Sequence, residues 1–206
     1  MRKISSFLIA AAALAAVPAS LHAQSPVANP APAAVQAGNY KLETSHTRVQ
    51  FTVSHMGFSD WYGDFTGATG TLNLDPKAVA KAKLDVTIPV ASVSTTNATL
   101  DGELKSNAWF DAEKFPTITF TSSKVTPTGP RTALVAGNLT FHGVTKPVVL
   151  KASFLASGIN PLDKAYTIGF NASTVLKRSD FGVKTYVPLI SDEVTLRISA
   201  AFEKAQ

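Results

Sequence analysis

"PTITFTSSKVTPTGPRTALVAGNLTFHGVTKPVVLKASF", residues 116–154, decides the fold. Ile118 and Phe120 lie between threonines. After the turn signal TPTGP (126–130), Val135, Leu139 and Phe141 share one face. After HGVTKP (142–147), Val148, Leu150, Ala152 and Phe154 share one face again. A period of two puts one face of each segment on a core and the other in water. Strands of this kind, joined by short Gly/Pro turns, form an antiparallel sheet.

The same reading extends outward. Val49, Phe51, Val53 and His55 alternate in one segment, and Leu84, Val86 and Ile88 in KLDVTIPV (83–90). Tyr166, Ile168 and Phe170 do so in YTIGF, and Val194, Leu196, Ile198, Ala200 and Phe202 do so near the end. With FTGATGTLNL (65–74) these make about eight strands, separated by further turn signals at 75–77 and 157–163. One segment departs. TLDGELKSNAWF (99–110) sets Leu100 and Leu104 four apart among charges, the pattern of a short amphipathic helix weakened by Gly102. The expected layout is three strands, a helix and five strands. Closing the sheet into a barrel would remove its edges, and a sandwich also fits the pattern.

The ends read differently. Residues 1–23 carry Arg2 and Lys3, an apolar run at 7–17 and small residues up to Ala23. That is the pattern of an export signal cleaved after Ala23, with Ala19 as the alternative. Residues 24–39, QSPVANPAPAAVQAGN, read as an uncharged Ala/Pro-rich tether, and the domain is expected over 40–204. The net charge of +5 falls by two to +3 once Arg2 and Lys3 are removed. No Lys/Arg run is present, so nucleic acid is not an expected partner. With no cysteine the fold must rest on its core, which a chain of 206 residues can supply.

The candidate chemistry is thin. His46 and His55 are nine apart on one apparent strand and have opposite parity, and His142 follows Phe141. At about 3.3 Å per residue the first two lie roughly 30 Å apart on a straight strand, too far to share a metal. There is no nucleophile elbow, no phosphate-binding glycine loop and no separate carboxylate pair. LKRSDFG (176–182) places Lys177 and Arg178 beside Asp180. That stretch reads as a turn in which Asp180 holds backbone or pairs with Arg178, or as a basic pair for an anionic head group.

Several linked stretches carry a resemblance. They are YKLETSHTRVQFTVSHMGFSDWYGDFTGATGTLNLDP, VTIPVASVSTTNATLDGELKSNAWFDAEKFPTITFTSSKV, VAGNLTFHGVTKPVVLKASF and LKRSDFGV. In this order and spacing, over about 40–203, the chain resembles the YceI-like family. The resemblance implies an all-β fold: an extended antiparallel lipocalin-like barrel of about eight strands with one short α-helix, at 99–107. It implies an exported protein, periplasmic or secreted, that holds a polyisoprenoid or other long-chain amphiphilic lipid in an elongated pocket.

Carried onto this sequence, the pocket would be lined by Phe51, Val53, Phe58, Trp61, Phe65, Val86, Ile88, Leu100 and Leu104. Trp109, Phe120, Leu139, Phe141, Leu150, Ala152, Ile168 and Phe170 would complete it. His55, Lys177 and Arg178 would mark a polar end, where His55 would satisfy a backbone group or meet the ligand. One departure is Glu103, which stands where the family's helix usually carries a histidine. No cofactor and no metal are expected. Transient membrane contact and a homodimer are compatible with this reading. The alternatives are an enzyme of isoprenoid or quinone metabolism using the same cavity, and a barrel with a filled core.

Overall fold

The computed structural model describes residues 27–205, so the export signal expected at 1–23 lies outside the described residues. Among the described residues, period-two alternation is realised as ten strands. Five precede the helix: β1 (Gly38–His55), β2 (Ser59–Phe65), β3 (Thr69–Leu74), β4 (Lys83–Pro89) and the two-residue β5 (Val93–Ser94). Then come α1 (Ala98–Lys105), β6 (Thr117–Gly129), β7 (Thr132–Phe141), β8 (Val144–Ile159), β9 (Tyr166–Lys177) and β10 (Glu193–Lys204). Eight of them close an antiparallel barrel in the order β1-β10-β9-β8-β7-β6-β4-β3 and back to β1. Closure leaves the ring without an edge strand.

β1 is shared between two neighbours. Gly38–Lys41 pairs with β3, and Val49–His55 pairs with β2. Between Glu43 and Arg48 its register against β10 shifts, as at a β-bulge, which bends the strand. The strand expected at 65–74 is realised as β3 alone, because Phe65 ends β2 and residues 66–68 carry the chain from β2 into the ring. β5 adds to the free side of β2. Helix α1 ends at Lys105, two residues short of the expected 107. It is capped by Asn97, whose side-chain oxygen accepts from the N–H groups of Thr99 and Leu100.

The apolar interior has two clusters. The lower one contains Tyr40, Leu72, Leu74, Val125, Phe154, Ile168, Ala200 and Phe202. Its base is covered by the described part of the segment expected to be a tether. Asn29 bridges Ser157, Val35 is buried, and the Tyr166 hydroxyl donates to the Ala34 carbonyl. Tyr40 is completely buried and its hydroxyl donates to the Gln36 carbonyl. Burial first, and then the neighbouring Tyr166, push the Tyr40 phenol up to about 12. Residues 29–36 are thus a plug for the barrel's lower end. Val35 supplies the apolar contact that composition alone hid.

The upper cluster surrounds an open lumen. It gathers Val49, Phe51, Phe65, Ile88, Leu104, Trp109, Phe110 and Ile118. Two glycines explain why large rings do not fill that space. Gly63 stands opposite Phe51 across the β1–β2 ladder, and a Cβ there would lie 2.2 Å from the Phe51 ring. A Cβ on Gly137 would lie 2.5 Å from the Phe120 ring. The far end of each ring occupies the space over a bare stretch of wall that a side chain would otherwise fill.

Candidate functional site

The lumen is a cavity of about 540 Å³, within the range of small-molecule sites. Its walls are almost entirely apolar. Leu42, Leu84, Leu150, Phe170, Ala200 and Phe202 line the lower part, and Val49, Phe51, Val53, Phe65 and Phe141 are among those lining the upper part. The polar lining side chains are unevenly placed. Thr47, at the bulge of β1, has its hydroxyl occupied by the Ala201 N–H. The others, His55, Asn97, Thr99, Glu103, Arg178 and Tyr186, all lie on the side of α1 and of the hairpin joining β1 to β2. Glu103 and Tyr186 are exposed and Trp61 is 37% exposed, whereas Ala200 and Phe202 are buried. The cavity is therefore a tube closed below and open above.

Most of the expected pocket residues are brought together on this tube: Phe51, Val53, Trp61, Phe65, Val86, Ile88, Leu100, Leu104, Trp109, Phe120, Leu139, Phe141, Leu150 and Phe170. Three are not. Phe58 sits at the hairpin turn and is 88% exposed, because the strand reverses at Met56 and Gly57 before it. Ile168 is fully buried in the lower cluster, below the tube. Ala152 stands opposite Ala172 in the ladder, but of the two only Ala172 lines the cavity.

The expected polar end separates in the same way. Lys177 points into solvent. Arg178 lines the tube and is only 4% exposed. It does not pair with Asp180. Its Nε donates to the Ser191 carbonyl at 2.9 Å, Nη1 to that of Val183 at 3.1 Å and Nη2 to that of Ile190 at 2.8 Å. The guanidinium lies 5.4 Å from the centre of the Trp109 ring. Burial lowers its pKa, partly offset by Asp192.

Arg178 thus ties residues 183–191 to the tube, and it uses three of its five N–H donors to do so. Asp192 completes the clamp. Burial pushes its carboxyl up, but the Ser179 hydroxyl and N–H donate to it, and Arg178 and Lys177 lie near. The net effect holds it below the usual carboxylate range.

His55 ends β1 at the mouth. Its backbone bridges Ile190, and its ring lines the cavity and makes no hydrogen bond among the described residues. Glu103 accepts from the Trp109 indole at 3.1 Å. Of the other histidines, His46 is exposed and held by Glu43, and His142 Nδ1 lies 3.1 Å from the Phe181 carbonyl. Among the described residues no three His, Cys, Asp or Glu side chains gather as a metal site would need.

The rest of the lining includes Phe110, Tyr186 and Ile190, which sequence periodicity did not single out. Phe110 meets Phe141 at 5.3 Å and Phe65 at 6.0 Å, closing the wall beyond β5. Its signal was the apolar pair after the helix. Tyr186 and Ile190 lie in a loop with no repeat to read.

Comparison with known proteins agrees with this geometry. A UPF0312 protein of Pseudomonas fluorescens is 40% identical over 179 residues, covering 84% of this chain and 90% of its own. The YCEI protein of Campylobacter jejuni has a similar structure, with TM-score 0.66 and 32% identity over 74% of this chain and 90% of that one. A polyisoprenoid binding domain from Saccharophagus degradans, implicated in plant cell wall breakdown, shares the fold with TM-score 0.64. It is 16% identical over 82% of this chain and all of that one. The model of the YceI-like domain matches residues 40–202, nearly the whole barrel, and the chain belongs to that family.

Proposed function

We propose that this protein binds one long-chain amphiphile of the polyisoprenoid class, tail down the tube and head at the mouth, and serves as its periplasmic carrier or store. The observation that carries this reading is the polarity gradient of the cavity. Its lower walls are apolar, and all its polar lining side chains but Thr47 gather at the open end. An apolar chain fits the first part and a polar or charged group fits the second. The Saccharophagus degradans domain, named for polyisoprenoid binding, supports the choice of ligand class through its shared fold. The sequence of residues 1–23 supports export.

Energetics favour a carrier over a scavenger. Burying a methylene from water is worth about 0.8 kcal/mol, so a chain of several isoprene units would exceed the practical limit of non-covalent affinity. Such a lipid starts in a bilayer, not in water. The tube only has to match the bilayer, and exchange between the two is then close to neutral and reversible.

The test is native mass spectrometry of protein purified from its own host, followed by solvent extraction. The expected result is one bound lipid per chain, released as a molecule with a long apolar tail and one polar end. A protein with no adduct that also fails to take up a prenyl alcohol or prenyl phosphate from detergent would refute the proposal.

A further inference from the structure

The mouth of the tube carries a second feature that lipid binding inside the barrel does not need. Met56 and Phe58 at the β1–β2 turn, and Tyr186 and Leu189 in the loop beside it, are exposed apolar side chains. They form one patch, since the Met56 N–H donates to the Leu189 carbonyl at 2.8 Å and His55 bridges Ile190. Trp61 and Tyr62 border it from β2, and Trp61 and Tyr186 also line the cavity. The patch and the tube entrance are continuous.

Backbone conformation makes these side chains conspicuous. Residues 55–58 form a tight turn within the three-residue loop that joins His55 to Ser59, with the Phe58 N–H donating to the His55 carbonyl and both central residues at positive φ, Met56 at 55° and Gly57 at 73°. Asn, Asp or Gly serve such a turn best, and methionine is disfavoured there. Tyr186 is likewise left-handed at φ 57°. Two large, exposed side chains at the mouth are therefore carried by backbone conformations that disfavour them. Tyr186 recovers a ring contact with Trp109 at 6.0 Å, whereas Met56 remains 49% exposed.

We propose that this patch is a membrane-docking wedge, which inserts Phe58, Met56 and Leu189 among lipid headgroups and sets the tube mouth against the bilayer. Apolar tips flanked by Tyr and Trp match the boundary between headgroups and acyl chains. Residues 56–62 and 184–190 carry one acid, Asp60, and one base, Lys184, so the wedge has no net charge. Docking is therefore driven by apolar insertion, and a bilayer of zwitterionic phosphatidylcholine suffices. The choice of a bilayer over a protein partner rests on the tube being a lipid site, because its ligand would come from that phase.

The experiment is flotation of the purified protein with phosphatidylcholine vesicles at low and high salt. It compares the natural sequence with Phe58→Asp, Leu189→Asp and, as a control at the opposite end, Leu162→Asp. Leu162 is 91% exposed, so it measures what exposure alone contributes. The wedge predicts salt-insensitive binding, an about tenfold or greater loss of partitioning in each mouth variant from the lost burial of one apolar side chain, and no loss in Leu162→Asp. Lipid already inside the barrel, read separately by native mass spectrometry, should be unchanged in Phe58→Asp. A wedge failure and a tube failure are thereby distinguished. The proposal is overturned by natural protein that does not float, by equal loss in Leu162→Asp, or by a mouth patch that instead pairs two copies of the chain in sedimentation velocity.

Discussion

Replacing Ala172 by phenylalanine places a ring in the middle of the tube. Ala172 lies about halfway along β9, lines the cavity, and stands between Phe170 below it and Leu176 nearer the mouth. The substitution adds six carbon atoms to the lumen. If each displaces one tail carbon, which must then leave the protein at the mouth and meet water, the cost is about 0.8 kcal/mol apiece, or about 5 kcal/mol in all. That corresponds to a loss of roughly a thousandfold or more in lipid partitioning. Stability should change little, because the ring enters space that is already open. In a filled core the same change would cost about 1–3 kcal/mol through overpacking.

The assay is a titration with a fluorescent prenyl probe, paired with urea unfolding. Val175→Phe serves as the control, because Val175 lies on the outer face of the same strand and is exposed. Undiminished binding by a folded Ala172→Phe protein would refute the reasoning, as would equal loss in Val175→Phe.

Further outcomes follow from particular contacts. Gly63→Ala should drive the Phe51 ring off the wall into the lumen, reducing probe binding and costing about 1–3 kcal/mol in urea unfolding. Arg178→Met leaves the Ser191, Val183 and Ile190 carbonyls without their donors, and at about 1–3 kcal/mol per unpaired group it should destabilise the fold by several kcal/mol. Arg178→Lys should rescue little of that in thermal unfolding, since an ammonium cannot reproduce the fork. Asp192 has a folded pKa below its unfolded value. Its contribution is therefore complete above the unfolded value and is lost as pH falls through the folded one. Asp192→Asn should be less stable near neutral pH and show a flatter acid limb in a series of melts. Ile168→Ala, fully buried below the tube, should cost about 2–5 kcal/mol without blocking the lumen.

The barrel was legible because a half-buried strand writes its inward face into the sequence at every second position. Phe51 and Val53, Val86 and Ile88, and Leu139 and Phe141 were all placed inward on that signal, and they line the cavity. Periodicity tells which face is inward but not at what height. Ile168 and Ala152 share the parity of the lining, yet Ile168 lies below the tube and Ala152, unlike its neighbour Ala172, does not line it. The resemblance puts Phe58 on the wall, and a three-residue loop with a methionine at positive φ carries no recognisable turn signal to move it. The plug at residues 29–36 looked like a linker by composition, because one buried valine and a few backbone hydrogen bonds leave no pattern. Arg178 was singled out, but its carbonyl partners come from residues 183–191, where nothing in the sequence is periodic.

The central claim is an amphiphile seated tail-down with its head at the mouth, and the two tryptophans test it. Trp61 and Trp109 are the only indoles in the chain, and both line the upper end of the tube. Two prenyl or fatty ligands of equal length should be compared, one brominated next to the head group and one at the far end of the tail. Steady-state and lifetime quenching of the intrinsic fluorescence is read at saturation. The account predicts strong quenching by the head-proximal bromine and little by the terminal one. Equal quenching by both, or stronger quenching by the terminal bromine, would contradict it.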